Sequence, residues 1–467
     1  MSTECTQKSF GFHPHFQRKV EANFEGGMIT SHGGAVLLRE VERKIGVIRR
    51  LAECFADERD RDRIEHEVES MVAQRVYGLA LGYEDLNDHD DLCRDPLLAM
   101  VAGKKDVEGQ ARRREQDRGK ALAGKSTLNR MELSGERVEK GERYKKIAFD
   151  SEAADRLLVE LYLEAQEEVP DDVILDLDAT DDPVHGQQEG RFFQGYYGHY
   201  CYLPLYIFAG RHALCARLRP SNIDASAGAL EEVERIVAQL RESWPGVHIT
   251  LRADSGFCRD EILSWAEATP GVDYVFGLAK NDRLKRRLQE AMAGARRQHE
   301  QSGKPARVFT EFEYRTRTSW KRARRVVGKA EYLERGENPR FVVTSFSSSE
   351  WEKRALYEDL YCARGEMENR IKEQQLELFA DRTSTGMLRS NQLRLYFSTF
   401  AYTLLEGFRR LGLAGTRMAR AQCGTIRLRL LRIGALIRIS VRRVLVALTS
   451  GYPDRPLFAQ AYQNLSG

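Results

Sequence analysis

Two apolar stretches of this chain end in aspartate, and a third segment sets an aromatic, a cation, a carboxylate and a second cation at helical spacing. The first is Leu175-Asp176-Leu177-Asp178-Ala179-Thr180, and the second is Ile249-Thr250-Leu251-Arg252-Ala253-Asp254-Ser255-Gly256-Phe257. The third holds Tyr361, Arg364, Glu368 and Lys372, at i, i+3, i+7 and i+11 of one helix face. A carboxylate within an apolar run costs free energy unless it is paired or metal-bound. Three carboxylates converging from different elements can hold two Mg²⁺ ions roughly 3.5–4 Å apart, the arrangement that hydrolyses phosphodiesters by activating a nucleophile and stabilising a leaving oxygen. Asp176 and Asp178 share a strand face and compete for the first position. Asp254 is the candidate for the second and Glu368 for the third, with Arg364 and Lys372 placed to grip phosphates on either side. Each segment alone has a plainer reading: a strand-end Asp capping a turn with Asp181 and Asp182, a helix N-cap at Asp254 or Ser255, and a surface helix laced with ion pairs.

These carboxylates need elements to carry them. From Pro170 the pattern is that of strands, DDVILDLDAT (171–180), HYCYLPLYIFAG (199–210) and ALCARLRP (213–220), followed by the amphipathic stretch GALEEVERIVAQLRESW (228–244). A strand HITLRADS (248–255), a helix CRDEILSWAEA (258–268) and a strand DYVFGLAK (273–280) come next. Three strands, then helix, strand, helix, strand is the order of an RNase H-like α/β core, whose mixed sheet carries acidic residues on its central strands. The expected catalytic core is 170–280 plus 340–380, with 281–339 as a β-rich insertion. Residues 1–32 lack helical periodicity and read as an extended arm or hairpin, 33–169 as an all-α DNA-binding domain, and 381–467 as a basic helical and hairpin carboxy-terminal region.

The net charge of +3 would by itself argue against a dedicated nucleic-acid binder, but an average hides patches. From Gly407 to Pro453 there are ten arginines and no Asp or Glu. Such a one-sided segment points to phosphate as its partner, and Arg427, Arg429, Arg432, Arg438, Arg442 and Arg443 are expected DNA contacts. Internal ion pairs or a solvated basic face are the alternatives. The string GKALAGKS (119–126) matches a P-loop literally but lacks the preceding strand, so a basic turn against DNA is the better reading. Asn87-Asp88-His89-Asp90-Asp91 has a His-Asp doublet without the further histidines of a metal site and reads as a polar loop. Eight scattered cysteines fit reduced thiols in a cytoplasmic protein. The first residues carry no secretion signal and no apolar run approaches the ~18 residues of a membrane span, so a soluble protein is expected.

DLDATDD, LRADSGF and YCARGEMENRIKE resemble the three catalytic motifs of bacterial insertion-sequence transposases of the DDE class. They are most similar to those of the cut-and-paste group with a Tyr-Arg-Glu-Lys signature, closest to the insertion-sequence family numbered thirteen-eighty. The resemblance covers Asp171 to Arg389. It implies Asp178 in place of Asp176, because the catalytic Asp is followed by a small residue and then Thr, and it implies Asp254. It also implies Glu368 in place of Glu366, at the signature spacing after Tyr361 and Arg364. The place of the signature lysine holds Gln375, with Lys372 one turn earlier. Tyr361, Arg364 and Lys372 are then DNA contacts, and Asp178, Asp254 and Glu368 the ligands of two Mg²⁺ ions, with Mn²⁺ as a substitute. The implied activity is hydrolysis and strand transfer at the ends of an insertion sequence. The implied partners are double-stranded DNA, as terminal inverted repeats and target, and a second copy of the chain on that DNA, in a bacterial cytoplasm at the nucleoid. Two other readings are an RNase H-like nuclease without strand transfer and a non-catalytic DNA-binding protein that keeps the fold. Three intact carboxylates disfavour the second, since binding alone has no physical need of them.

Overall fold

A computed structural model describes residues 9–138 and 146–467. The chain divides into two compact units. One comprises Glu53–Glu58 and Glu132–Glu406; the other comprises the chain up to Ala52, with Arg59–Met131 and Gly407–Gly467.

The first unit is built on a nine-stranded mixed sheet. Its strands are β1 (Asp172–Ala179), β2 (Leu205–Ala209), β3 (His212–Arg217), β4 (His248–Ala253), β5 (Val272–Leu278), β6 (Ala306–Tyr314), β7 (Arg324–Leu333), β8 (Gly336–Glu337) and β9 (Arg340–Thr344). The spatial order is β3-β2-β1-β4-β5-β9-β7-β6, with β8 on the end of β7. β4 runs parallel to β1 and β5, and β2 runs antiparallel to β1 and β3. Strand alternation sorts the residues between two faces. Val173, Leu175 and Leu177 of β1, Ile249, Leu251 and Ala253 of β4, and Tyr274 and Phe276 of β5 enter one large core. The helices α1 (Ala229–Ser243) and α2 (Asp260–Ala268) cover it through Val233, Ile236, Leu240, Ile262 and Leu263. The opposite face carries Asp176, Asp178, Arg252, Asp254 and Gly277. Its smaller core joins Val275, Val327 and Val342 to Leu356, Tyr357 and Leu360.

One strand reading changes in this unit. The run 199–210 is not one strand, because Pro204 has no N–H to donate to a ladder. His199–Tyr202 leaves the large sheet to pair with Phe192–Gln194 and Asp182–Pro183, and β2 begins afresh at Leu205. Within 281–339, β6 and β7 reach the sheet through β9, and Tyr314, Trp320, Val326 and Ala330 belong to the large core. The helix Ser151–Ala165, expected in an all-α domain, places Val159 and Tyr162 in that same core.

The other unit joins segments expected to lie apart. Ile29–Thr30 pairs with Ala435–Ser440, which forms a hairpin with Arg443–Leu448, so the arm and the basic tail share one small sheet. Gly33-Gly34 permits this approach, since a Cβ on Gly34 would stand 1.7 Å from the Leu430 carbonyl oxygen. The helix Val68–Leu81 is buried on nearly every side. At the P-loop-like string, the helix Lys125–Glu132 has its first N–H taken by Asp90 (3.0 Å), and the Lys125 ammonium lies 3.4 Å from the same carboxylate. A phosphate would meet an acid there. His89 is buried against Gln74 (2.9 Å) and Arg75 (3.1 Å), a packed polar group of the Asn87–Asp91 loop. Among the described residues no helix is long and apolar enough to cross a membrane.

At the start of β4, His248 bridges Asp172 (2.6 Å) on β1 and Asp273 (2.9 Å) on β5. Partial burial pulls its pKa down, but the hydrogen bonds to Asp273 and Asp172 outweigh this and hold it above the usual value. A histidine raised in the folded state contributes stability that is complete below its unfolded pKa of roughly 6.5 and is lost as pH rises through the folded value. His248→Gln should therefore lower the denaturation midpoint at about pH 6 and leave it nearly unchanged at about pH 9. Equal losses at both pH values, followed by urea titration, would show that the imidazolium does not tie these strands.

Candidate active site

Asp178 and Asp254 stand side by side because the parallel register of β1 and β4 pairs Leu177 with Ala253, and each aspartate is the next residue. Adjacent strands lie about 4.8 Å apart, so the two side chains emerge on one face of the sheet at the same level. Asp178 Oδ1 accepts from the Ala179 N–H (3.0 Å) and Asp254 Oδ1 from the Gly256 N–H (2.8 Å), which fixes each carboxylate. Asp254 also caps the short turn Ser255–Phe257, so the cap and the site occupy one residue.

The third segment is not one regular helix. Leu356–Tyr361 forms a wide, π-type turn, Cys362–Arg364 tightens to a 3₁₀ turn, and α3 (Gly365–Leu378) follows. Arg364 is the hub: its guanidinium reaches Asp178 Oδ2 at 3.4 Å and Glu368 Oε1 at 2.6 Å. Tyr361 packs its ring at a tilt against Tyr357, centroids 5.5 Å apart, and its hydroxyl lies over Gly277 of β5, where a Cβ would be 2.6 Å from it and 2.9 Å from the Ser255 nitrogen. Only glycine fits there. Lys372 is exposed on α3, one turn beyond Glu368.

The electrostatics reflect this crowding. Burial pushes the Asp178 carboxyl up to about 6; Arg364 opposes the shift, and the charges of Asp254 and Glu368 add to it. The three carboxylates therefore feel one another, and a single arginine is too little to neutralise them. The Tyr361 phenol is raised first by burial, with Arg364 pulling it down and Asp254 pushing it up.

Asp176, the competitor of Asp178, has another partner. Its two oxygens accept from Arg252 Nε (2.5 Å) and Nη2 (2.8 Å), both side chains being buried, and Arg252 Nη1 donates to the Leu360 carbonyl (2.6 Å). Arg252 thus binds β1, β4 and the turn that delivers Tyr361 and Arg364. It was missed as a functional residue, although an arginine in the apolar run of LRADS, on the same strand face as Asp254, is the signal that could have found it. Gln375 was also passed over: it donates to Asp182 Oδ1 (2.8 Å) and to the Asp181 carbonyl (3.1 Å), tying α3 to the loop after β1.

The arginine tail separates into two groups. Arg427 is buried and donates to the Ala80 and Leu79 carbonyls, and Arg432 reaches that of Leu81, so both satisfy the C-terminal end of the helix Val68–Leu81. Arg429 and Arg417 lie near Asp454, one residue past the acid-free stretch. Arg427, Arg429 and Arg432 thus have partners within their own unit: helix-end carbonyls for Arg427 and Arg432, and Asp454 for Arg429. Arg438, Arg442 and Arg443 remain exposed on the hairpin without an acidic partner among the described residues.

Two strand-end aspartates and a helical glutamate thus share one side of the mixed sheet, with Arg364 bonded to Asp178 and Glu368. The family described as Transposase DDE domain group 1 matches residues 12–467; the chain belongs to it and is a DNA transposase. Among solved structures it is similar to the piggyBac transposase synaptic complex with hairpin DNA, determined by cryo-EM. The TM-score is 0.41 and the identity 11%, over 84% of this chain and 78% of that one. No curated protein matches the sequence.

Arg252→Ala leaves the buried Asp176 charge unpaired and should lower stability by about 3–5 kcal/mol. The double variant Asp176→Leu/Arg252→Met should restore most of the denaturation midpoint while DNA cleavage stays impaired, because the Leu360 carbonyl still lacks its donor. Full recovery of both would reduce this ion pair to packing alone.

Proposed function

We propose that the protein is a cut-and-paste transposase of an insertion sequence, in which Asp178, Asp254 and Glu368 carry out DNA strand cleavage and transfer. The observation that carries this reading is the convergence of the three carboxylates around Arg364, on the sheet edge where β1 and β4 end together. The order β3-β2-β1-β4-β5, with β1 antiparallel to β2 and parallel to β4, supports an RNase H-like core. The Tyr361-Arg364-Glu368 spacing supports a place near the insertion-sequence family numbered thirteen-eighty, with Gln375 where that signature has lysine.

The donor set suits Mg²⁺: three hard carboxylates, no sulfur or imidazole among them, with Asp178 raised by burial and further by the charges of Asp254 and Glu368. Asp178, Asp254 and Glu368 would hold two ions, with Mn²⁺ as a substitute. When bound, these cations supply a nucleophile at neutral pH and charge stabilisation at the leaving oxygen. The protein's own contribution is position. Backbone N–H groups fix Asp178 and Asp254 at the strand ends, and the Gly277 gap seats the Tyr361 hydroxyl beside Asp254. Arg364 places a guanidinium where a scissile phosphate would lie against the carboxylates, and exposed Lys372 extends the cationic line along the DNA. Double-stranded DNA, as terminal repeats and target, is the partner, bound by two copies of the chain at a bacterial nucleoid. The exposed Arg438, Arg442 and Arg443 supply phosphate contacts from the unit that holds both chain ends.

Asp178→Asn, Asp254→Asn and Glu368→Gln should each abolish cleavage of DNA carrying the element's own ends in Mg²⁺, with DNA affinity largely kept. Glu366→Gln should be mild. Wild-type cleavage by any of the three, or cleavage in EDTA, would remove the assignment. Ca²⁺ should support complex formation without cleavage, since it accepts looser geometry and more ligands.

Replacing Arg438, Arg442 and Arg443 together by Gln should reduce the slope of log affinity against log salt by about 2.7 units, at roughly 0.9 per phosphate contact. An unchanged slope in the folded triple variant would take the hairpin off the DNA.

A further inference from the structure

The loop between β1 and β2 is a built aromatic hairpin. Phe192–Gln194 and His199–Tyr202 pair antiparallel in the register Phe193 with Tyr200, and the turn between them is Gly195-Tyr196-Tyr197-Gly198. Gly198 closes it at φ 77°, in the left-handed region that suits glycine. Phe193 and Tyr200 form a cross-strand ring pair with centroids 5.6 Å apart, and Tyr196 and Tyr197 a second pair at 5.0 Å. Phe193 is 58% exposed, Tyr196 88% and Tyr200 48%. Arg191 lies 4.6 Å over the Tyr200 ring and has no acidic partner among the described residues.

This surface is rigid and near the acidic site. Gln194 Nε2 donates to the Ser221 carbonyl and Ser221 Oγ to the Phe192 carbonyl, both at 2.9 Å, so the hairpin is pinned to the body of its unit. His199 Nε2 meets Asp181 Oδ2 at 2.7 Å, three residues past Asp178 in sequence, and Gln375 of α3 holds the Asp181 carbonyl. The Tyr197 phenol is raised by burial and further by the charges of Asp181 and Asp178, which places it within electrostatic reach of that carboxylate.

We propose that this hairpin is a stacking platform for unpaired nucleobases of the DNA strand that passes the acidic site. Exposed rings offer π-faces that any base can stack on, while the Arg191 guanidinium beside them, hydrogen-bonded to Gln187 Oε1 (2.6 Å) and to no acid among the described residues, suits the phosphate of the same nucleotide. A duplex keeps its bases stacked on one another and has none to offer, so the platform acts on strand ends and opened base pairs next to the reacting phosphate. The proposal rests on the reading of Asp178, Asp254 and Glu368 as the reacting site, but the two are tested separately.

The test measures affinity of the full chain in EDTA for a mixed-sequence 20-nucleotide single strand carrying one 2-aminopurine, and for the same sequence as a blunt duplex. Phe193→Ala/Tyr196→Ala should weaken single-strand binding by roughly tenfold or more, with loss of 2-aminopurine quenching, while duplex binding changes less than about twofold. Phe193→Trp/Tyr196→Trp should retain both single-strand affinity and quenching. Equal losses on single strand and duplex, no loss on either, or Trp behaving as Ala would overturn the proposal. A shift in sedimentation with unaltered single-strand binding would do so too, by making the surface an interface between copies. No cleavage is read in this assay, so inactivity of the enzyme or misassignment of its carboxylates leaves the result intact.

Discussion

The arrangement of the site depends on one buried ion pair. Asp176 and Asp178 lie two residues apart on the same face of β1, so without compensation the sheet edge would hold four acids in place of three. Arg252, opposite Asp176 in the β1–β4 register, removes one of them from the account electrostatically and spends its remaining N–H on the Leu360 carbonyl. Burying two such charges costs several kcal/mol in desolvation, and apolar residues of like volume often serve stability as well or better. What an apolar pair lacks is the third bond. That bond fixes a π-type turn, where the helical hydrogen-bonding pattern shifts, and the turn sets the direction in which Tyr361 and Arg364 leave it.

The two aspartates of the candidate site were legible because each ends a strong local pattern. Apolar alternation made β1 and β4 visible, and an Asp followed shortly by a turn marked where each strand stops. The spacing from Tyr361 to Glu368 survived as contacts, although the segment changes pitch twice along its length. Periodicity reports one element at a time, whereas the choice between Asp176 and Asp178 is made by register between two strands. No local pattern carries that information. The resemblance to known motifs implies Asp178; the structure binds Asp176 through both oxygens to Arg252 and leaves Asp178 to the longer contact with Arg364.

The same limit explains the tail and the boundaries. Ten arginines in an acid-free stretch look alike in sequence, yet Arg427 and Arg432 answer the unpaired carbonyls of a helix about 350 residues earlier, a demand created entirely by tertiary structure. The exposed hairpin arginines differ from them only in having no such carbonyls to serve. Likewise β6 and β7 read correctly as β pattern, but only pairing through β9 shows that they extend the sheet.

Asp182 and Gln375 show how the fold accommodates a departure from the proposed signature. Burial raises the Asp182 carboxyl to about 8, with Gln375 opposing the shift and the charges of Asp381 and Asp181 adding to it. Burial favours the neutral form of this acid, which a neutral amide suits, and Gln375 gives it one N–H while giving the Asp181 carbonyl another. A lysine at 375 would draw Asp182 into its charged form inside a buried site and exchange a two-point tether for an ion pair that must meet the cost of desolvation. The amide instead holds α3 to the loop after β1 without adding charge, which leaves Arg364 as the cation bound between Asp178 and Glu368, with Lys372, on the exposed side of α3, facing solvent.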